Sequence, residues 1–208
     1  MKNVLIVTSS VQAEASVSNR LATAFEAQLR AFNPGIEIVR RDVGANSIPH
    51  LSAETVAGIR GEPRTEVELA TRALSDALIA ELQAADLVVI ASPMYNFGMS
   101  STLHTWFDHV LRARATFRYT EAGPEGLLNG KKAVVIESRA GFYSDGPAAG
   151  MDGQERHIRN LLGFMGIDDV TFVRAEKLAF GPEAAAASIE AATAELRQLA
   201  GLALALAA

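Results

Sequence analysis

The sequence predicts an α/β fold: a doubly wound, five-stranded parallel sheet with helices on both faces and strand order 2-1-3-4-5. Short β-branched runs alternate with longer segments of helical period along the chain. The run at 86–91, Asp-Leu-Val-Val-Ile-Ala, is almost wholly apolar, as expected of a strand buried on both faces. Loops of small residues follow several of these runs, and right-handed crossovers then favour the stated order.

The elements follow in turn. Residues 2–8 read as a strand ending in Ser9 and Ser10, and residues 15–32 as a helix with Leu21, Phe25 and Leu29 spaced by four. A second strand is expected over 35–41. The span 44–63, with Pro49 and several polar residues, reads as a lid or flap. Residues 65–84 are helical, with Leu69, Leu74, Leu78 and Leu82 available for burial, and lead into the strand at 86–91. A helix over 101–114 follows. Residues 116–119 are a short extended piece, and the turn signals at 123–126 and 129–130 mark an excursion from the sheet. Strand 132–138, helix 152–165 and strand 169–174 come next, and the last helix, 182–204, opens on Pro182 at a position that suits proline.

The 208 residues suffice for one domain, 1–208, without a linker-like stretch. A net charge of −5 argues against an electrostatic hold on nucleic acid or anionic lipid. The absence of cysteine excludes disulfides, thiolate metal sites and the thiolate chemistry of low-molecular-weight tyrosine phosphatases, which use a similar loop after the first strand. Residues 1–7 are too short and weakly charged for a signal peptide, and no run is long enough for a membrane helix, so the expectation is a cytoplasmic protein.

Three loops at the carboxyl ends of predicted strands carry the chemistry. Ser16, Val17 and Ser18 stand where the first helix begins, so their amides and hydroxyls suit a phosphate; the plain alternative is that Ser16 only caps the helix. Pro93-Met94-Tyr95-Asn96-Phe97 combines backbone donors with an aromatic shelf, or else completes the core. Ser138-Arg139-Ala140-Gly141 is a third small, polar loop. Meeting at one sheet edge, they suit a phosphorylated planar ligand. Neither a GxGxxG nor a GxxxxGK[ST] motif is present.

The segments Ser16-Val-Ser18, Pro93-Met-Tyr-Asn-Phe97, 117–126 and Ser138-Arg-Ala-Gly141, together with 162–167 and 180–182, resemble the FMN-dependent NADH:quinone oxidoreductase and azoreductase family nearly end to end. The resemblance implies a flavodoxin-like homodimer with one FMN per subunit and active sites at the subunit interface. It implies that Ser10 and residues 16–18 hold the FMN phosphate. Met94 to Phe97 would lie along the isoalloxazine, with Ser138, Arg139, Ala140 and Gly141 closing the other side. The family commonly has glycine where Ala140 stands, a difference that matters if the position needs φ > 0. Asn96, Tyr119 and Phe164 correspond to substrate-cavity residues; for Phe164, core packing beside Leu161 and Met165 explains the residue equally well.

The implied chemistry is ping-pong: NADH or NADPH passes hydride to flavin N5, leaves, and a quinone or azo compound takes the electrons. No side chain is required as a general acid, so no catalytic residue is assigned. The alternative is an electron carrier delivering single electrons to a protein partner, a reading that the extra material at 44–63, 117–129 and 161–167 disfavours. Arg118 either pairs with an acid or is solvated. The four histidines, with His104 and His109 five apart and His50 and His157 in polar surroundings, do not make a metal site.

Overall fold

Five strands, β1 (Asn3–Thr8), β2 (Glu37–Asp42), β3 (Leu87–Pro93), β6 (Lys132–Ser138) and β7 (Asp169–Ala175), form one sheet in a computed structural model that describes residues 1–205. The last three residues of the expected domain, 206–208, lie outside the described residues. Every pairing in the sheet is parallel and the order is β2-β1-β3-β6-β7, which is 2-1-3-4-5 among its own strands. A small antiparallel hairpin, β4 (Phe117–Thr120) and β5 (Gly123–Gly126), is the excursion.

Period-two alternation sends each strand's side chains into two cores. Val4, Ile6, Val89 and Ile136 pack beneath α1 (Val17–Phe32) and α6 (Pro182–Ala205), with Leu21, Phe25 and Leu196. Leu5, Val7, Val88 and Val135 pack on the opposite face against α3 (Glu66–Ala84), α4 (Ser101–Val110) and α5 (Glu155–Phe164), with Leu78, Leu82, Trp106 and Leu162. Burial on both faces is why β3 reads as a continuous apolar run.

Three local expectations are corrected. Leu69 of α3 is 53% exposed; the buried row runs through Leu74, Leu78 and Leu82 in steps of four, and Leu69 is offset from it. The helix expected to reach residue 114 stops at Val110, because the Thr116 hydroxyl donates to the Val110 carbonyl at 2.6 Å and accepts from the Arg112 N–H at 3.1 Å. The span 44–63 is anchored rather than free. It contains α2 (Val56–Arg60), buries Ile48 and Ile59, and its Pro49 carbonyl accepts from His109 Nε2 at 3.0 Å. No helix among the described residues is long and apolar enough to cross a membrane.

Registers align the carboxyl ends that matter. Thr8 pairs with Ala91, and Pro93 with Ser138. The segments after β1, β3 and β6 therefore leave the sheet side by side, around the point where β2 and β3 flank β1 on opposite sides.

Candidate functional site

The first segment ends at the N-terminus of α1. Ser16 has extended backbone and its Oγ accepts from the Asn19 N–H at 3.3 Å, so it is the N-cap. The Ser18 hydroxyl lies 3.2 Å from Ser16 Oγ, and Ser18 is fully buried behind it. The amides of Asn19 and Arg20 are taken by Ser16. Those of Val17 and Ser18, in the first turn, have no intrahelical acceptor. A capped end with two spare N–H groups and the positive end of the helix dipole suits an anion.

The second segment is a tight turn. Tyr95 and Gly98 exchange both backbone hydrogen bonds, at 2.9 and 3.0 Å, and the central residues Asn96 and Phe97 have φ of 48° and 68°. Positive φ at both positions is the type I′ pattern. Asparagine tolerates that conformation; phenylalanine does so at a cost of about 1–3 kcal/mol, a strain characteristic of functional loops. Neither the Asn96 nor the Phe97 N–H has an acceptor among the described residues. Pro93 is buried at the end of β3 and has no N–H to offer.

The segments are tied together. Ser10 Oγ lies 3.1 Å from the Tyr95 hydroxyl, the Met94 N–H donates to the Ser138 carbonyl at 2.9 Å, and the Gly153 N–H donates to the Phe97 carbonyl at 2.9 Å. The Phe97 and Tyr143 rings meet edge to face, 6.0 Å between centroids. A Cβ on Gly141 would fall 2.8 Å from the Tyr143 ring, so a side chain here would move that ring from its place over the loop.

Arg139 corrects an expectation. It is wholly buried and its backbone N–H is taken by the Ala175 carbonyl at 2.9 Å, so it cannot touch a ligand. Its guanidinium holds Glu137 at 2.5 Å, Asp152 at 2.9 Å, Glu176 at 3.2 Å and Gln154 at 3.2 Å. Glu176 accepts in turn from the amides of Tyr143 and Ser144, while Gln154 donates to the Ser92 carbonyl at 2.9 Å. Arg139 thus braces the loops after β3 and β6 from beneath. Burial pushes the Glu137 carboxyl up to about 8 against the pull of Arg139, and its Oε1 has no hydrogen-bond partner among the described residues. Hydrogen bonds from Ser144, Tyr143 and Arg139 outweigh burial at Glu176 and hold it below the usual carboxylate range. Ala140 is not among the residues with positive φ, so the methyl group strains nothing, and its carbonyl accepts from the Ala179 N–H.

Tyr119 and Phe164 are brought together elsewhere. Both stack edge-on against Phe117, with centroids 5.6 and 4.7 Å away, and both line a cavity of about 830 Å³. The hairpin reaches α5 because Gly126 lies against the backbone of Met165 and Gly166, a space any Cβ would fill. Tyr119 is 72% exposed and Phe164 partly so, which sets Phe164 apart from the buried Met165 beside it. This cavity adjoins the C-terminal end of α4 whereas the turn at Asn96 precedes its N-terminal end, about 15 Å away along the helix. Arg118 pairs with Glu125 across the hairpin at 2.8 Å, exposed to solvent.

The comparisons agree with this geometry. Residues 2–200 match a family described by its flavodoxin-like fold. The FMN-dependent NADH:quinone oxidoreductase of Hyphomonas neptunium is 56% identical over 200 residues, 96% of each chain. The chain belongs to that family. The enzyme of the same name from Ralstonia nicotianae is 45% identical, covering 97% of this chain and 99% of its own. Among solved structures, an azoreductase from Bacillus anthracis superposes with a TM-score of 0.88 at 31% identity, covering 96% of this chain and 99% of that one.

For a member of this family the donors fit FMN. A spare-amide helix end, two unpaired amides on a rigid turn and a glycine kept open under an aromatic match a phosphate and a heterocycle with polar edges. Tyr143, Asp152 and Gln154 escape a reading by sequence pattern because the segment 142–154 has no periodicity, and Glu176 because nothing in the spacing after β7 (Asp169–Ala175) links it to Arg139. The one visible signal is Glu137, an acid at the end of the apolar run Ala-Val-Val-Ile. His104 and His157 do meet, with ring centroids 5.4 Å apart, yet no group of three or more metal-ligating side chains forms among the described residues.

Proposed function

We propose that this chain, as one FMN-binding domain, reduces quinones to hydroquinones and azo compounds to amines with NADH or NADPH as reductant. The observation that carries the reading is the Asn96–Phe97 turn, whose two unpaired amides are held rigidly at the switch point of the sheet. Bound FMN would supply the redox chemistry, taking hydride from the nicotinamide and passing electrons to the acceptor.

The chain's own residues bind and orient. Ser10, Ser16 and the amides of Val17 and Ser18 hold the phosphate, with Ser18 acting from behind Ser16. The free amides of Asn96 and Phe97 offer donors to the edge of the ring system, Met94 and Tyr95 line it with their own amides holding the turn in place, and Ser138, Ala140 and Gly141 close the opposite side. Fixed amide dipoles there stabilise negative charge without reorganisation. Asn96, Tyr119 and Phe164 receive the substrate.

The separation of Tyr119 and Phe164 from the loop cluster supports a homodimer in which each subunit supplies these residues to its partner's flavin. The proposed setting is the cytoplasm. An anaerobic stopped-flow experiment tests the reaction: FMN-loaded protein mixed with NADH bleaches, and benzoquinone restores the absorbance in one two-electron step. Bound flavin that NADH cannot bleach favours the electron carrier. Mixing a Ser16→Asp chain with a Tyr119→Ala, Phe164→Ala chain tests the shared site. Recovery of about a quarter of the activity is expected from hybrids, and none if each subunit works alone.

A further inference from the structure

The cavity beside Tyr119 and Phe164 is cationic in a chain whose net charge is −5. Arg60, Arg72, Arg112 and Arg114 line it against a single carboxylate, Glu62. Two of these guanidiniums are already engaged. Arg72 donates to the carbonyls of Gly58 and Gly61, and Arg112 donates to Ser75 Oγ at 2.9 Å and pairs with Asp76. Arg60 and Arg114 have neither a carboxylate within 4.0 Å nor a hydrogen-bond acceptor for the side chain among the described residues.

Arg114 is further distinguished by its backbone. It stands at φ 67°, pinned by its N–H donating to the Phe117 carbonyl at 2.7 Å, immediately before the strand that carries Tyr119. A bulky residue pays for the left-handed region only where the surroundings over-determine it. An exposed guanidinium without a partner among the described residues, carried on a pinned backbone and lining an aromatic cavity, can hold an oxyanion bidentately. Arg60 and Arg72, the latter bonded only to carbonyls, keep their charge and add a positive field that concentrates anions there.

We propose that Arg114 is an anion-recognition residue of the substrate cavity, holding a phosphate, sulfonate or carboxylate group on the molecule that enters to exchange electrons. This rests on the reading that the cavity receives substrate. The anion has two sources: the pyrophosphate of the nicotinamide nucleotide, or an acidic group on the acceptor.

The test uses FMN-loaded Arg114→Asn, since asparagine tolerates the left-handed backbone, with Arg114→Lys as the charge-preserving control. Binding of ADP-ribose and of naphthalene-2-sulfonate to the oxidised protein is measured by calorimetry. Reoxidation of the reduced protein is compared for benzoquinone and a naphthoquinone sulfonate. The expected result is about tenfold weaker binding of at least one anionic probe in Arg114→Asn, partly restored in Arg114→Lys. Loss confined to ADP-ribose assigns the anion to the reductant. Loss confined to the sulfonate, with about a tenfold fall in sulfonated over neutral quinone preference, assigns it to the acceptor. Wild-type affinity for both probes overturns the proposal, whatever the quinone rates. Failure of the wild-type protein to be bleached by NADH counts against the functional reading alone, because the probe-binding comparison does not depend on turnover.

Discussion

The two regions assigned to the reaction lie beyond opposite ends of α4 and are built by opposite means. Before its N-terminus, Ser10, Met94, Phe97 and Ser138 are bonded to one another's loops, and Arg139 ties three carboxylates beneath them. Beyond its C-terminus the cavity wall is open: Tyr119 projects into solvent and two of four arginines have no partner among the described residues. A resident cofactor gains from donors that need no rearrangement, since ordering them on binding would weaken it. Two substrates that share one cavity in turn need groups left unsatisfied until each arrives.

The comparison breaks most readily at Arg139. Arg139→Met leaves the buried Glu137 and Glu176 and the half-buried Asp152 without their cation, and a loss of about 3–5 kcal/mol is expected in urea denaturation, with FMN released. An unchanged midpoint would mean that the loops are rigid without the network.

Glu137 sharpens the same point through pH. Its folded value of about 8 lies above the ordinary 4.5, so between these values the folded chain holds a proton that the unfolded chain has released. The stability this group contributes is fully present below pH 4.5 and is lost as pH rises towards 8. Glu137→Gln removes that dependence, so the stability of wild type relative to the variant falls across this window. Parallel pH profiles for the two proteins would show that Glu137 is ionised throughout.

A smaller effect is expected in the turn. Asn96→Gly keeps the N–H while easing the left-handed backbone, so the apo-protein gains up to about 1 kcal/mol and FMN affinity is retained. A large drop in FMN affinity would transfer the role from the amide to the Asn96 side chain. The smallest effect belongs to Arg118→Gln. The Arg118–Glu125 pair joins the same two side-chain types as Arg139–Glu137 but is exposed, and no resolvable change in the denaturation midpoint is expected.

Much of the loop cluster is legible in the sequence. Ser16 at a helix start and the small-residue segment after an apolar strand are local patterns with a local cause, and so they survive into the structure. Arg139 illustrates the limit. In a loop of small residues a guanidinium reads as a ligand contact, and its three acidic partners come from residues 137, 152 and 176, which nothing in their spacing links. The span 44–63 is a similar case: its polar composition suggests a flap, and only the burial of Ile48 and Ile59 and the bond from His109 reveal an anchored segment.

By itself the sequence determined the alternation of strands and helices, the sheet order, and which loops meet at its carboxyl edge, because period, chirality of crossover and helix capping act over a few residues or through one general rule. Tertiary structure alone decided where α4 ends, which arginines are buried, paired or free, and that Tyr119 and Phe164 stand away from their own chain's loop cluster. Those outcomes depend on contacts between residues distant in the chain, such as Thr116 capping α4 and Gly126 docking on α5, and no local pattern encodes them.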